Sequence, residues 1–200
     1  MKNVTLITNT NILDIEDTVK LSIKLSRLGL KRIQIREKKL NRNDLIYFIE
    51  KMKDSIETGC EIFLNGNIDL AIDHKISGVH FSENTIITKK VTSEKRILFG
   101  RSLHQNTKDL DPNNIFSYFH VGPVFHTLTH PGEPRITNDK IINLTKNLDK
   151  IIFVGGINAN NAHKLLKYNF AGIAVMRELL LSKNPEDTFL NLEEIINGKK

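Results

Sequence analysis

The chain has 200 residues, of which 40% are hydrophobic and 26% are charged, as in ordinary globular proteins and unlike collagen-like or disordered chains. Domains typically span roughly 100–200 residues, so we expect residues 1–200 to form a single domain. The net charge of +6 comes from scattered Lys and Arg rather than from a basic stripe with interleaved aromatics. This distribution favours small anionic ligands over nucleic acid.

The chain contains one cysteine, Cys60, which excludes a disulfide framework within one chain and is typical of a reducing compartment. No stretch approaches the roughly 18 apolar residues of a membrane span. The N-terminus runs directly into a strand pattern without a secretory signal. We therefore expect a cytoplasmic protein with no membrane association.

Short apolar runs rich in Val, Ile and Phe recur along the chain and alternate with segments of helical spacing. This alternation indicates βαβ units and a parallel sheet, and eight units in one domain favour closure into a (β/α)8 TIM barrel of the α/β class. An open, doubly wound sheet is the alternative. The runs are Val4–Ile7, Arg32–Ile35, Glu61–Leu64, Gly78–Phe81, Ile97–Gly100, Tyr118–Gly122, Ile151–Val154 and Gly172–Met176.

Polar residues follow the second run, where a barrel would place its site at the carboxyl ends of the strands. Strand alternation puts Gln34, Arg36 and Lys38 on one side of the chain. Arg offers a planar fork, Lys a point charge and Gln a neutral donor, which together suit a diphosphate. The alternative is a solvated strand end.

Later strand ends add further candidates. Asn65 follows the third run, with Gly66 permitting a tight turn, and Ser102 and His104 follow the fifth. We interpret His104 as a structural residue in preference to a catalytic one. Plain turn chemistry is the alternative at Asn65 and Gly66.

A long irregular stretch, residues 122–135, follows the sixth run and is typical of a lid or binding loop. Thr127 and Thr129 offer hydroxyls there, and His126 and His130 could carry protons near neutral pH. A Pro-punctuated surface loop is the alternative.

The seventh and eighth strand ends carry Gly155-Gly156 and Met176-Arg177. A glycine pair allows close approach of the backbone to a phosphate, and barrels often hold a phosphate at these two loops. The spacing of the histidines predicts no zinc site, and no dinucleotide, nucleoside-triphosphate or serine-hydrolase motif occurs.

These motifs, in chain order, resemble thiamine phosphate synthase and its relative thiazole tautomerase. The resemblance runs from the second strand to the eighth and is carried by Gln34–Lys38, Asn65, Asp69–Ala71, Gly78–His80, Gly100–His104, Gly122–Phe125, Thr127, Thr129, Gly155–Ile157 and Gly172–Val175. It implies a barrel that joins hydroxymethylpyrimidine diphosphate to thiazole phosphate with release of pyrophosphate.

The resemblance also implies roles for individual residues. The pyrimidine diphosphate would be held by Gln34, Arg36, Lys38 and Asn65, with Ser102 near the leaving group. Thr127 and Thr129 would line the loop, and Gly156, Met176 and Arg177 would hold the thiazole phosphate. Catalytic candidates are Arg36, Lys38, Ser102, His126 and His130.

Two departures concern Mg²⁺. The synthase pattern has metal-binding Asp residues where this chain has Gly66 and Thr85, so the resemblance implies a magnesium site only if Glu83 or Asp69 substitutes for them. His130 also stands where the synthase loop usually has Lys.

Three functions are compatible with these residues. The Gln-x-Arg-x-Lys clamp favours a thiamine phosphate synthase, a transferase of thiamine biosynthesis. Asn65-Gly66 matches the tautomerase branch, an isomerase in which His126 or His104 would be the acid/base. A phosphate-ligand binding protein without catalysis is the third hypothesis. The expected partners are phosphorylated pyrimidine and thiazole ligands, and a homo-oligomer is left open.

Overall fold

The computed structural model of the protein describes residues 1–107, 114–128, 132, 134–148 and 150–199. Within these ranges, none of the helices combines the length and the apolar character that crossing a membrane requires.

Parallel strands close into a barrel in which each strand pairs with its neighbours in sequence and the last returns to the first. The (β/α)8 barrel is therefore confirmed, and the pairing of the first and last strands rules out the open sheet. The strands are β1 (Asn3–Ile7), β2 (Arg32–Ile35), β3 (Glu61–Asn65), β4 (Gly78–Phe81), β5 (Leu98–Leu103), β6 (Tyr118–Val121), β7 (Ile151–Val154) and β8 (Gly172–Val175).

Strand β5 differs most from the expected run, which ended at Gly100. It continues to Leu103 because Ser102 and Leu103 pair with the last two residues of β6. Ser102 is therefore a strand residue, held more firmly than a loop residue would be.

The helices lie between the strands and follow β8. They are α1 (Ile15–Arg27), α2 (Arg42–Ser55), α3 (Ile68–Asp73), α4 (Lys89–Ser93), α5 (Asn138–Asn147), α6 (Arg177–Leu180) and α7 (Pro185–Ile196), with a short 3-10 helix (Ala162–Leu165) between β7 and β8. Four of them begin at a short polar residue whose side chain accepts a hydrogen bond from a backbone N–H three residues later. These caps are Asp14, Asn41, Asn67 and Thr137.

The barrel interior is filled by alternation of very large and very small residues. Phe63 on β3 and Tyr118 on β6 are buried and meet edge to face, with 5.1 Å between ring centroids. A Cβ on Gly100 would lie 2.2 Å from Cζ of Tyr118, and a Cβ on Gly78 would lie 2.6 Å from Cε1 of Phe63. The Tyr118 ring therefore requires glycine at position 100 on the neighbouring strand, and Gly78 is required both by the Phe63 ring and by the Leu98 carbonyl oxygen, 2.3 Å from the added Cβ.

An ion pair between Arg32 and Glu61 lies at the amino-terminal end of the barrel, where both residues line a cavity of about 160 Å³. Nη2 of Arg32 donates to Oε2 of Glu61 at 2.6 Å, and the guanidinium lies 4.1 Å from the ring centroid of Tyr118. Barrel enzymes bind their ligands at the opposite end, where the strands end at their carboxyl termini, so a ligand is expected there.

Candidate active site

Gln34 forms the polar floor of the open end. Its side chain is 2% exposed, and its Nε2 donates to Oδ1 of Asn65 at 2.7 Å, so the structure brings these two predicted residues into contact. The side-chain amide oxygen of Gln34, Oε1, is buried without a hydrogen-bond partner among the described residues. A buried acceptor of this kind is costly unless a ligand or water donates to it.

Arg36 and Lys38 follow outward along the same segment. Arg36 is half-buried and Lys38 is exposed, so the positive charge increases from the floor toward the solvent. We call the opening formed by the carboxyl ends of the strands the mouth of the barrel. Its floor is lined by the amides of Gln34 and Asn65, and its cationic part lies above them, toward the solvent.

Glu37, between the two cations, has a structural role that the sequence did not reveal. Its carboxylate accepts hydrogen bonds from the hydroxyl of buried Thr8 and from both the backbone N–H and the hydroxyl of Thr10. The Thr8 hydroxyl oxygen also accepts from the backbone N–H of Arg36 at 3.1 Å. The loop after β1 therefore fixes the backbone from which Arg36 extends.

The carboxylates considered as metal ligands do not converge. Asp69 pairs with Lys90 at the surface, and the Glu83 carboxylate accepts from the Thr107 hydroxyl. Thr85, at the second position where the resemblance implies an Asp, shares a hydrogen bond with Ser82 at 2.9 Å. The described residues contain no group of three or more His, Cys, Asp or Glu that could hold a metal ion.

Ser102 is joined to a buried aromatic network that the sequence analysis missed. Its Oγ lies 2.9 Å from Nε2 of His80, and Nδ1 of His80 lies 3.0 Å from the Tyr118 hydroxyl. The ring of His120 packs beside His80, with 4.3 Å between centroids. The sequence could have indicated this network, because side chains alternate between the two faces of a strand. That alternation places His80 on β4, and Tyr118 and His120 on β6, on the barrel side of their strands.

Both buried histidines are neutral at physiological pH. Burial lowers the pKa of His80 to about 3, with the nearby positive charges of Arg32 and Arg36 acting in the same direction. Burial likewise lowers the pKa of His120 well below its usual value, and Nε2 of His120 has no hydrogen-bond partner among the described residues.

His104 is held by the backbone. Its Nδ1 donates to the carbonyl oxygen of Gly122 at 2.8 Å, and its backbone N–H donates to the Thr107 hydroxyl at 2.8 Å. These bonds tie the end of β5 to the loop after β6, consistent with the structural interpretation of this histidine.

The loop after β6 lies against the end of β7. The backbone N–H groups of Val124 and Phe125 donate to the carbonyl oxygens of Val154 and Gly155, each at 3.0 Å. His126 is exposed and Thr127 is half-buried on this loop. Two other predicted residues, Thr129 and His130, lie outside the described part of the chain.

The glycine pair after β7 is required by this close packing. Gly155 and Gly156 have positive φ values of 97° and 68°, and a Cβ on Gly156 would lie 2.1 Å from the carbonyl oxygen of His126. Asn161 closes the turn by donating from Nδ2 to the Gly156 carbonyl at 2.9 Å. Packing against the loop after β6 therefore accounts for both glycines of this turn.

The loop after β8 completes the same side. Met176 is half-buried and contacts Asn9 through its sulfur, 3.6 Å from Nδ2. Arg177 is exposed and begins α6. A side-chain oxygen of Glu178 accepts from the backbone N–H of Ala159 at 3.2 Å, which links the loops after β7 and β8.

Known proteins share both the sequence and the fold. Residues 4–179 match the family described as thiamine monophosphate synthase. The chain is 28% identical over 197 residues to thiamine-phosphate synthase of Clostridium acetobutylicum, covering 94% of this chain and 93% of the relative. It is 26% identical over 176 residues to the Methanobrevibacter smithii protein of the same name, covering 86% and 84%.

Among solved structures, thiamine phosphate pyrophosphorylase from Pyrococcus furiosus superimposes with a TM-score of 0.81 and 18% identity, covering 98% of this chain and 96% of that one. At this identity the likeness supports the barrel fold. Because the family match spans β1 to α6, which includes every strand end that forms the mouth, the chain belongs to the thiamine monophosphate synthase family.

Proposed function

We propose that this chain is a thiamine-phosphate synthase that joins hydroxymethylpyrimidine diphosphate to thiazole phosphate. The bond between the pyrimidine methylene carbon and the diphosphate oxygen breaks, and pyrophosphate leaves with the electron pair. The thiazole nitrogen then forms the new C–N bond to the methylene carbon. Family membership and the names of the relatives support this reaction over tautomerisation or binding alone.

The observation that carries the proposal is that the side-chain amide oxygen of Gln34, Oε1, has no hydrogen-bond partner among the described residues on the floor of the mouth, beneath Arg36 and Lys38. An amide oxygen is the wrong partner for a phosphate, because both groups only accept hydrogen bonds. It suits the amino group of a pyrimidine. We therefore assign Gln34 to the pyrimidine ring, in place of the diphosphate contact that the sequence suggested.

The diphosphate then extends outward, toward the cations. Arg36 can engage two phosphate oxygens with its planar fork, and Lys38 adds a mobile point charge at the exposed rim. The hydroxyl of Ser102, near the carboxyl end of β5, supplies a further hydrogen bond. Charge on the departing pyrophosphate is thereby stabilised where it develops.

The thiazole phosphate is assigned to the other side of the mouth. The turn at Gly155 and Gly156 offers backbone N–H groups without side-chain obstruction, and Met176 and Arg177 lie on the adjoining loop. Thr127 lies on the loop that packs against this turn. The two substrates would thus approach from opposite sides, with the thiazole nitrogen directed toward the methylene carbon.

Magnesium is typical of synthases in this family. The donor set of the described residues does not fit the family's pair of aspartates, because Gly66 and Thr85 occupy those positions and Asp69 pairs with Lys90. We therefore assign the neutralisation of the diphosphate to Arg36 and Lys38. Location in the cytoplasm remains our proposal, consistent with the free thiol of Cys60.

The test is calorimetric titration with hydroxymethylpyrimidine diphosphate, with and without Mg²⁺, followed by an assay for thiamine phosphate after addition of thiazole phosphate. Arg36→Ala should weaken diphosphate binding by roughly 10- to 150-fold, the loss expected for a charge-assisted hydrogen bond. Arg36→Lys should recover only part of that loss, because Lys lacks the fork.

Arg27→Ala is the matched control, since Arg27 ends α1, away from the mouth, and forms a surface ion pair with Glu57. It should bind diphosphate as the wild type does. Equal binding by Arg36→Ala and wild type would refute the diphosphate site. Proton exchange at the thiazole carbon without pyrimidine diphosphate, and no thiamine phosphate formed, would instead identify an isomerase.

A further inference from the structure

His80 bridges a buried phenol and a hydroxyl at the floor of the mouth. Its Nδ1 lies 3.0 Å from the Tyr118 hydroxyl and its Nε2 lies 2.9 Å from Oγ of Ser102. The rings of His80 and Tyr118 are 2% and 1% exposed, so water does not compete for these bonds. The three side chains form one continuous path from the barrel interior to the ligand site.

A neutral imidazole has one N–H donor and one acceptor nitrogen. His80 is neutral because burial lowers its pKa to about 3. It can therefore donate to one neighbour and must accept from the other. The direction of the whole path depends on which nitrogen carries the hydrogen.

The Tyr118 hydroxyl determines which nitrogen of His80 carries the hydrogen. Burial raises the pKa of its phenol well above the usual value, so the hydroxyl keeps its single hydrogen. Within the described residues, the hydrogen-bond partner of this hydroxyl is Nδ1 of His80. Since a buried phenol hydrogen without an acceptor is disfavoured, Tyr118 donates, Nδ1 accepts, and the hydrogen of His80 lies on Nε2.

We propose that Tyr118 and His80 are positioning residues that hold Ser102 as a hydrogen-bond donor toward the ligand. Nε2–H of His80 donates to Oγ of Ser102, which leaves the serine hydrogen to point into the mouth. Phosphate oxygens only accept hydrogen bonds, so this orientation suits a diphosphate. With the other tautomer, Ser102 would donate to His80 and present lone pairs to an anion. The inference rests on the proposed diphosphate site.

The test combines a spectroscopic and a binding readout. Nitrogen-15 NMR of the histidine side chains should show the hydrogen of His80 on Nε2 in the wild type. In Tyr118→Phe, which keeps the ring but removes the phenol hydrogen, the two tautomers should both be populated. Calorimetric titration with inorganic pyrophosphate should show binding weakened by about tenfold, as expected for a misdirected hydrogen bond to a charged ligand.

Ser22→Ala is the matched control, because it also removes a buried hydroxyl, bonded to the Thr18 carbonyl in α1. It should bind pyrophosphate normally. Ser102→Ala should show the same loss as Tyr118→Phe, and the double variant should show little more. This comparison also keeps the test informative if Tyr118→Phe fails to fold.

A wild-type hydrogen on Nδ1 would overturn the inference, and so would pyrophosphate binding by either Ser102→Ala or Tyr118→Phe equal to that of the wild type. Failure of the proposed reaction gives a different result. Pyrophosphate binding would still depend on Tyr118 and Ser102, while hydroxymethylpyrimidine diphosphate and thiazole phosphate would yield no thiamine phosphate.

Discussion

Adding one carbon at Gly100 tests the packing that supports the His80 network. A Cβ there would lie 2.2 Å from Cζ, 2.4 Å from Cε1 and 2.6 Å from the hydroxyl oxygen of Tyr118, so the buried ring must move. Overpacking of this kind costs about 1–3 kcal/mol. For a chain of this size Gly100→Ala should lower the melting temperature by roughly 2–12 °C. Thermal and urea unfolding followed by circular dichroism measure both quantities.

Combining Gly100→Ala with Tyr118→Leu tests whether the Tyr118 ring is the group that the added methyl meets. Tyr118→Leu should itself be destabilising by ~2–4 kcal/mol because it leaves a cavity, which the Gly100→Ala methyl would partly fill. The double variant should therefore exceed additivity in stability by at least about 1 kcal/mol. Gly59→Ala is the control, because its Cβ would meet no atom within 4 Å and its cost comes from its φ of +94°. Coupling of Tyr118→Leu to Gly100→Ala no larger than to Gly59→Ala would refute the packing argument.

Three further titratable side chains, His80, Glu37 and Cys60, give testable expectations. Burial lowers the pKa of His80 from 6.5 to about 3, so between these pH values the histidine takes up a proton in the unfolded chain but not in the folded one. The free energy of unfolding is therefore unaffected by His80 above pH 6.5 and decreases as the pH falls toward 3. At pH 5 this loss should be about 2 kcal/mol, with His120 adding to it, and a free energy of unfolding from urea titration unchanged between pH 7 and 5 would contradict it. Glu37→Gln should cost about 1.5–3 kcal/mol, because three donors lose a charged acceptor, and an unchanged urea midpoint would disprove that role. Burial raises the pKa of Cys60 to about 12, so iodoacetamide should label it far more slowly in the folded protein than in urea, and equal rates would contradict the burial.

The sequence predicted the barrel because eight apolar runs with helical segments between them leave few other architectures. It also predicted which strand ends face a ligand, since that follows from parallel strands sharing one direction. The sequence predicted that β5 ends at Gly100, because the apolar run stops there and the next two residues, Arg101 and Ser102, are polar. The pairing with β6 that extends the strand is a contact between distant residues.

The candidate site divides in the same way. Gln34, Arg36 and Asn65 could be named from residue type and position. The contact between Gln34 and Asn65 uses the amide N–H of Gln34 and leaves its amide oxygen for a ligand, so the role that we propose for Gln34 is that of an acceptor. Hydrogen-bond polarity depends on which neighbour takes which atom. That choice exists only once β2 and β3 are paired.

The fold class and the family follow from the sequence alone, because they depend on local periodicity and on residue types at strand ends, and the ligand-binding end of the barrel stays a prediction of the same kind. The contacts that join His80, Tyr118 and Ser102, and those that engage Asp69 and Glu83 elsewhere, are visible only in the folded chain. They depend on barrel closure, which brings side chains from β4, β5 and β6 within hydrogen-bond distance. Burial then fixes their protonation, which no single position in the chain specifies.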